Sequence, residues 1–142
     1  MDTKALIDAL NDDLAHEYAA VIQYNTYAAM VKGPFREDLR RFFQAEVPDE
    51  LLHAQFLADK IVRLGGTPTT QPAAVQPASE PKEMLKAVHD AEDGAVKRYT
   101  ERLEQADAVG DLALRVQLEN FVADETNHRD EVKLMLDGWK AG

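Results

Sequence analysis

Glu17 is followed 33 residues later by Glu50 and, three further on, by His53; Glu92 is followed at the same interval by Glu125 and then by His128. Residues three apart stand side by side on a helix, so each Glu-x-x-His presents a carboxylate and an imidazole together. Four carboxylates and two imidazoles in this doubled pattern have the composition of a cage for two metal ions. The chain has no cysteine, which excludes disulfides, thiolate ligation and a redox thiol. The remaining nitrogen and oxygen donors favour iron, manganese or zinc. One Glu-x-x-His is weak, because both residues are common on solvated helix faces. The doubling, with two further glutamates, makes a metal site the better reading.

Four stretches of helical periodicity carry these residues. From a cap at Thr3, apolar residues recur at Leu6, Leu10, Val21, Tyr24, Ala28 and Val31 until Gly33-Pro34, which predicts helix A over 4–32. Leu39, Phe42, Phe43, Leu57, Ile61 and Leu64 predict helix B over 35–64, with Pro48 inside it as a source of a kink. Residues 65–80 hold Pro68, Pro72 and Pro77 without any period and read as a crossover. Extended, it can reach roughly 50 Å, the length of a helix in such a bundle. After Ser79 and Pro81, the stripe Leu85, Val88, Val96, Tyr99, Leu103 and Ala106 predicts helix C over 81–108. Leu114, Leu118, Phe121, Val132 and Met135 then predict helix D over 111–138. The expectation is an all-α protein of one domain, residues 1–142, in which two antiparallel hairpins joined by a long crossover make a four-helix bundle.

The spacing also predicts convergence. Residues equidistant from a tight turn lie level in an antiparallel hairpin. The midpoint of Glu17 and Glu50 falls at Gly33-Pro34, and that of Glu92 and Glu125 falls beside Gly110. All six residues continue the apolar stripes, so they face inward. Four ionised carboxylates in a bundle core would be strongly destabilising unpaired, and two divalent cations neutralise them. Tyr24 follows Glu17 by seven and Tyr99 follows Glu92 by seven. Each hydroxyl reads either as a hydrogen-bond donor to the ligands or as the satisfied tip of a core aromatic. His89 reads as a satisfied inner histidine rather than a ligand, Glu46 as a partly exposed carboxylate in preference to one that guides or holds an entering cation, and His16 as a surface residue. Asp124 and Asp130 read as part of a solvated face.

A net charge of -10 disfavours nucleic acid and anionic membranes and draws cations. No segment reads as a signal peptide or a membrane span, so a soluble cytoplasmic protein is expected. Tyr27, Phe35 and Trp139 lie off the main stripes, which suggests pairing into a homodimer.

At these residues the chain resembles the ferritin-like di-iron carboxylate proteins, especially bacterioferritins and rubrerythrins, whose known ligand set is one Glu on each of two helices and Glu-x-x-His on each of the others. The resemblance covers nearly the whole chain and includes the stretch from Glu17 to Gln23-Tyr24. It implies a ferritin-like four-helix bundle with two iron ions, Glu17 and Glu92 as terminal ligands, Glu50 and Glu125 bridging, and His53 and His128 each on one metal. Leu51 stands where bacterioferritins carry the haem methionine, so no haem is expected. No fifth helix is expected after Trp139, which argues against a 24-subunit cage, although a larger cage than a dimer stays open. The cysteine-rich rubrerythrin domain is absent, and Ala95 replaces that family's extra glutamate.

The expected activity is oxidation of ferrous iron by dioxygen or hydrogen peroxide, as a ferroxidase or peroxide-detoxifying oxidoreductase. A dimanganese catalase-like enzyme and a non-catalytic bundle stabilised by metal are the alternatives.

Overall fold

Just beyond each of the first three helices a glycine takes a positive φ: 103° at Gly33, 93° at Gly65 and 74° at Gly110. That backbone strains any residue with a Cβ, so these positions end the helices and reverse the chain. The computed structural model describes residues 1–139, and the segment 140–142, on which the expectation about a fifth helix partly falls, lies outside the described residues. Helices α1 (Thr3–Met30), α2 (Arg36–Arg63), α3 (Pro81–Ala108) and α4 (Leu112–Asp137) account for the secondary structure among them. None is long and apolar enough to cross a membrane.

Capping fixes where three of the helices begin. Asp2, one residue before the expected Thr3, accepts from Ala5 N at 2.7 Å. Glu80 and Glu83 form a reciprocal capping box around Pro81, and Asp111 accepts from Leu114 N at 3.0 Å. Pro48 lies inside α2 without dividing it.

Helix α1 packs on α2, α3 packs on α4, and α1 also packs on α3. The protein is an all-α four-helix bundle of two hairpins. The segment between α2 and α3 runs along α1. Asn11 bonds Thr67 O and Thr69 N at 3.0 and 2.8 Å, Ala73 N donates to Ala15 O at 2.9 Å, and the Tyr27 hydroxyl donates to Gln76 O.

The apolar interior is in two parts. One joins Leu6, Leu10 and Leu14 to Leu57, Ile61, Tyr99, Leu114, Leu118 and Phe121. The other joins Tyr24, Tyr27, Val31, Phe43, Met84, Leu85, Val88 and Val132. Between them lies a layer of buried charged side chains. Tyr27 is only 1% exposed, and Phe35 and Trp139 rings meet edge-on at 5.7 Å within the chain. Tyr27 is therefore a core residue, while Phe35 and Trp139 meet each other within the chain. Phe35 nevertheless remains 56% exposed, and Leu52, Leu112 and Leu134 are exposed as well.

Candidate metal centre

One inward turn of each helix builds the buried layer. Helix α1 brings Glu17, α2 brings Glu50 and His53, α3 brings Glu92, and α4 brings Glu125 and His128. Two overlapping clusters result. In one, ligand atoms of Glu17, Glu50, His53 and Glu125 all lie within 4.8 Å of one another; in the other, Glu50, Glu92, Glu125 and His128 do. Glu50 and Glu125 belong to both, one carboxylate from each hairpin.

Both imidazoles turn Nδ1 inward. His53 Nδ1 lies 3.2 Å from Glu125 and 3.6 Å from Glu17, and His128 Nδ1 lies 3.5 Å from Glu92. Both turn Nε2 toward a second carboxylate, His53 to Asp124 at 3.1 Å and His128 to Glu46 at 2.9 Å. A proton held at Nε2 by such a neighbour leaves the Nδ1 lone pair free for a cation.

The tyrosines cross between hairpins. Tyr24 on α1 donates to Glu92 on α3, and Tyr99 on α3 donates to Glu17 on α1. Each hydroxyl thus serves the glutamate of the other half, not the one on its own helix. The open choice between donor and satisfied core aromatic resolves as both, since each ring is also buried among apolar side chains.

Without a cation the layer is held by protons. Burial, reinforced by Glu17 and Glu125, pushes the Glu50 carboxyl well above its usual range. Burial likewise raises Glu92 to about 9 against the pull of His128. Burial disfavours the charged form of both rings, but the carboxylates prevail: Glu125 and Glu17 lift His53 to about 10, and Glu46 and Glu92 lift His128 to about 11. Burial also opposes ionisation of Glu125, yet His53 and Glu92 hold it down at about 2.

Five buried atoms of this set, Glu17 Oε2, His53 Nδ1, Glu92 Oε2, Glu125 Oε1 and His128 Nδ1, have no hydrogen-bond partner among the described residues. Orphaned buried polar atoms are costly, and their convergence from four helices is what a pair of cations would satisfy. The residues present fit such a pair. A cleft of about 610 Å³ between α1, α3 and the chain at Ala74–Pro77 reaches Glu17, Glu50, Glu92 and Glu125. Ala19, Ala20, Ala91, Gly94 and Ala95 keep its walls low, and His16, read as a surface residue, stands at its rim.

Two other expectations change. Asp124 is not merely part of a solvated face, because its carboxylate holds His53. Glu46 is 8% exposed and lies against His128, so it is not a partly exposed carboxylate. A signal for Asp124 was present, since aspartate precedes the glutamate of both motifs, at Asp49 and Asp124. His89 is half-buried with Nδ1 3.4 Å from Asp90, outside both clusters. A buried ion pair went unforeseen: Arg102 Nε and Nη2 donate to Asp13 at 2.7 and 2.9 Å, tying α3 to α1.

A helical bundle with this layer belongs to a recognisable class, and comparison with known proteins identifies it. The chain belongs to the ferritin-like family, whose domain model, described as a ferritin-like domain, matches residues 7–141. It is 31% identical over 133 residues to the bacterioferritin of Streptomyces coelicolor, covering 93% of this chain and 80% of that one. A crystal structure of ferritin-like, diiron-carboxylate proteins from Bacillus anthracis superposes with a TM-score of 0.94 at 47% identity, covering 96% of this chain and 99% of the other. The bacterioferritin-related protein of Bacteroides fragilis, described as a dodecameric thioferritin, superposes at 0.85 with 27% identity over 96% and 87% of the two chains.

Proposed function

We propose that the protein binds two ferrous ions in the buried layer and oxidises them with dioxygen or hydrogen peroxide. The carrying observation is the convergence of five unpartnered donor atoms on two clusters that share Glu50 and Glu125. The similarity to a diiron-carboxylate structure supports iron as the metal.

In this reading Glu17 and His53 would hold one ion, Glu92 and His128 would hold the other, and Glu50 and Glu125, which belong to both clusters, would be available to either. Two ferrous ions would supply two electrons, which with two protons convert peroxide to two waters or dioxygen to peroxide. The chain's own part is to arrange donors and manage protons. Asp124 keeps the Nε2 proton of His53, and the charge of Glu46 beside Nε2 of His128 favours a proton there, so both rings are biased to ligate through Nδ1. Tyr24 and Tyr99 hold the glutamates of the opposite hairpin in position. Carboxylates stabilise the harder ferric product and switch readily between terminal and bridging attachment. The cleft between α1 and α3 gives small oxidants a path to the layer. A homodimer or a larger assembly of this chain is consistent with the dodecameric relative.

Anaerobic titration of metal-free protein with ferrous iron, followed by oxidant, tests the proposal. Two ions per chain and oxidation faster than that of free iron are expected. Binding of fewer than two, or oxidation no faster than free iron, overturns it.

A further inference from the structure

Seventy-five positions separate Glu17 from Glu92, Tyr24 from Tyr99, Glu50 from Glu125 and His53 from His128. The same step carries Asp49 to Asp124 and Glu46 to Phe121. The two imidazoles therefore occupy equivalent places with different surroundings. The His53 ring stacks on Phe121 at 4.1 Å and its side chain is 5% exposed. Where His53 meets a phenylalanine, His128 meets a glutamate, and its side chain is 17% exposed.

We propose that Glu46, Asp49 and His128 Nε2 form an outer site for a divalent first-row transition ion on the α2/α4 face. Ligand atoms of these three residues lie within 4.8 Å of one another. His128 Nε2 is 2.9 Å from Glu46 Oε2 and 3.9 Å from Asp49 Oδ2. Glu46 is 8% exposed, and its Oε2 is buried without a hydrogen-bond partner among the described residues, lacking the alignment to accept from the ring despite its closeness. Asp49 is exposed, so the site opens to solvent on the side away from the α1/α3 cleft. Two carboxylates and a neutral imidazole match the charge and donor preference of such an ion, with water completing its shell.

An imidazole that gives one nitrogen to a cation keeps its proton on the other. His128 therefore serves the outer ion through Nε2 or an inner ion through Nδ1, and the outer position empties as the inner one fills. This exchange rests on the dinuclear reading; the outer site itself does not.

The test uses cobalt(II) and the full chain. In Glu50→Ala/Glu125→Ala protein, checked for helix content by circular dichroism, the inner clusters lose their shared carboxylates and the ring is free for Nε2 ligation. One cobalt per chain is expected, with visible bands of a nitrogen- and oxygen-ligated ion and an anomalous-scattering peak among Glu46, Asp49 and His128. Adding Asp49→Asn, a change at an exposed side chain, weakens that binding at least about tenfold. No bound cobalt, or cobalt retained unchanged after Asp49→Asn, overturns the outer site. Wild-type crystals soaked in cobalt separate the two readings: no peaks between Glu50 and Glu125 overturn the dinuclear centre and leave the outer site to the variant.

Discussion

The hydroxyl of Tyr99 on α3 donates to Glu17 on α1, 82 residues away, and so links the two hairpins at the buried carboxylate layer. Its pseudo-symmetric counterpart, Tyr24 to Glu92, makes the reverse connection. Each glutamate takes its hydroxyl donor from the opposite hairpin.

Removing one hydroxyl leaves a buried carboxylate without its donor. Tyr99→Phe and Tyr24→Phe should each weaken binding of divalent ions by roughly 10-fold or more, within the range for groups that orient ligands. A change to phenylalanine keeps the ring packing, so the fold should lose only about 1–3 kcal/mol. Calorimetric metal titration beside urea unfolding checks both, and affinity unchanged in both variants would dismiss the positioning role.

Asp124 holds His53 from the outside at 3.1 Å. Asp124→Asn removes the charge that stabilises the Nε2 proton, and metal affinity should fall by roughly 10-fold to 100-fold. Asp130→Asn, at an exposed position on the same helix, serves as the control and should leave affinity as it is.

The raised values of Glu92, His53 and His128, at about 9, 10 and 11, give opposite pH trends with and without metal. Folded metal-free protein holds protons on these groups that the unfolded chain releases: on Glu92 from the ordinary carboxylate range up to about 9, and on the histidines from about 6.5 upward. Their stabilising contribution is thus complete at low pH and lost as pH rises through the folded values, so metal-free protein should melt lower at pH 9 than at pH 6. Metal ions must displace the same protons, so affinity should rise over that interval and binding should release protons at pH 7. Thermal melts of chelator-treated protein and proton-release measurements in weak buffer decide the matter. A metal-free melting temperature that climbs from pH 6 to pH 9 would refute the assignment.

The Asp13–Arg102 pair is a test of packing separate from the metals. Arg102→Ala strands a buried carboxylate and should cost about 3–5 kcal/mol, whereas Asp13→Leu/Arg102→Met should be near neutral or more stable than wild type. Denaturant unfolding measures this, and a double variant as unstable as the single one would show that the pair contributes more than mutual neutralisation.

The all-α bundle was legible because apolar stripes of helical period end at Gly33, Gly65 and Gly110, where positive φ leaves little choice of residue. The common height of the six donors followed from Gly33-Pro34 lying midway between Glu17 and Glu50 and from Gly110 lying just beside the midpoint of Glu92 and Glu125. What spacing on a single helix cannot reveal is which neighbouring helix a side chain meets. Asp124 sits off the inner stripe of α4 yet reaches His53 on α2, and Glu46 of α2 reaches His128 on α4. Arg102 and Asp13 were hidden for the same reason, as was the internal partner of Phe35.

Each half of the chain carries one lone glutamate, one Glu-x-x-His and one tyrosine, yet the exchanged tyrosines leave neither half self-sufficient. A hairpin that paired with an identical copy could supply the same donors, but symmetry would oblige it to place the same residue beside both imidazoles. Joining the halves in one polypeptide lifts that obligation. The fused chain walls one histidine with Phe121 and sets the other against Glu46, giving two chemically inequivalent donor clusters from a repeated plan.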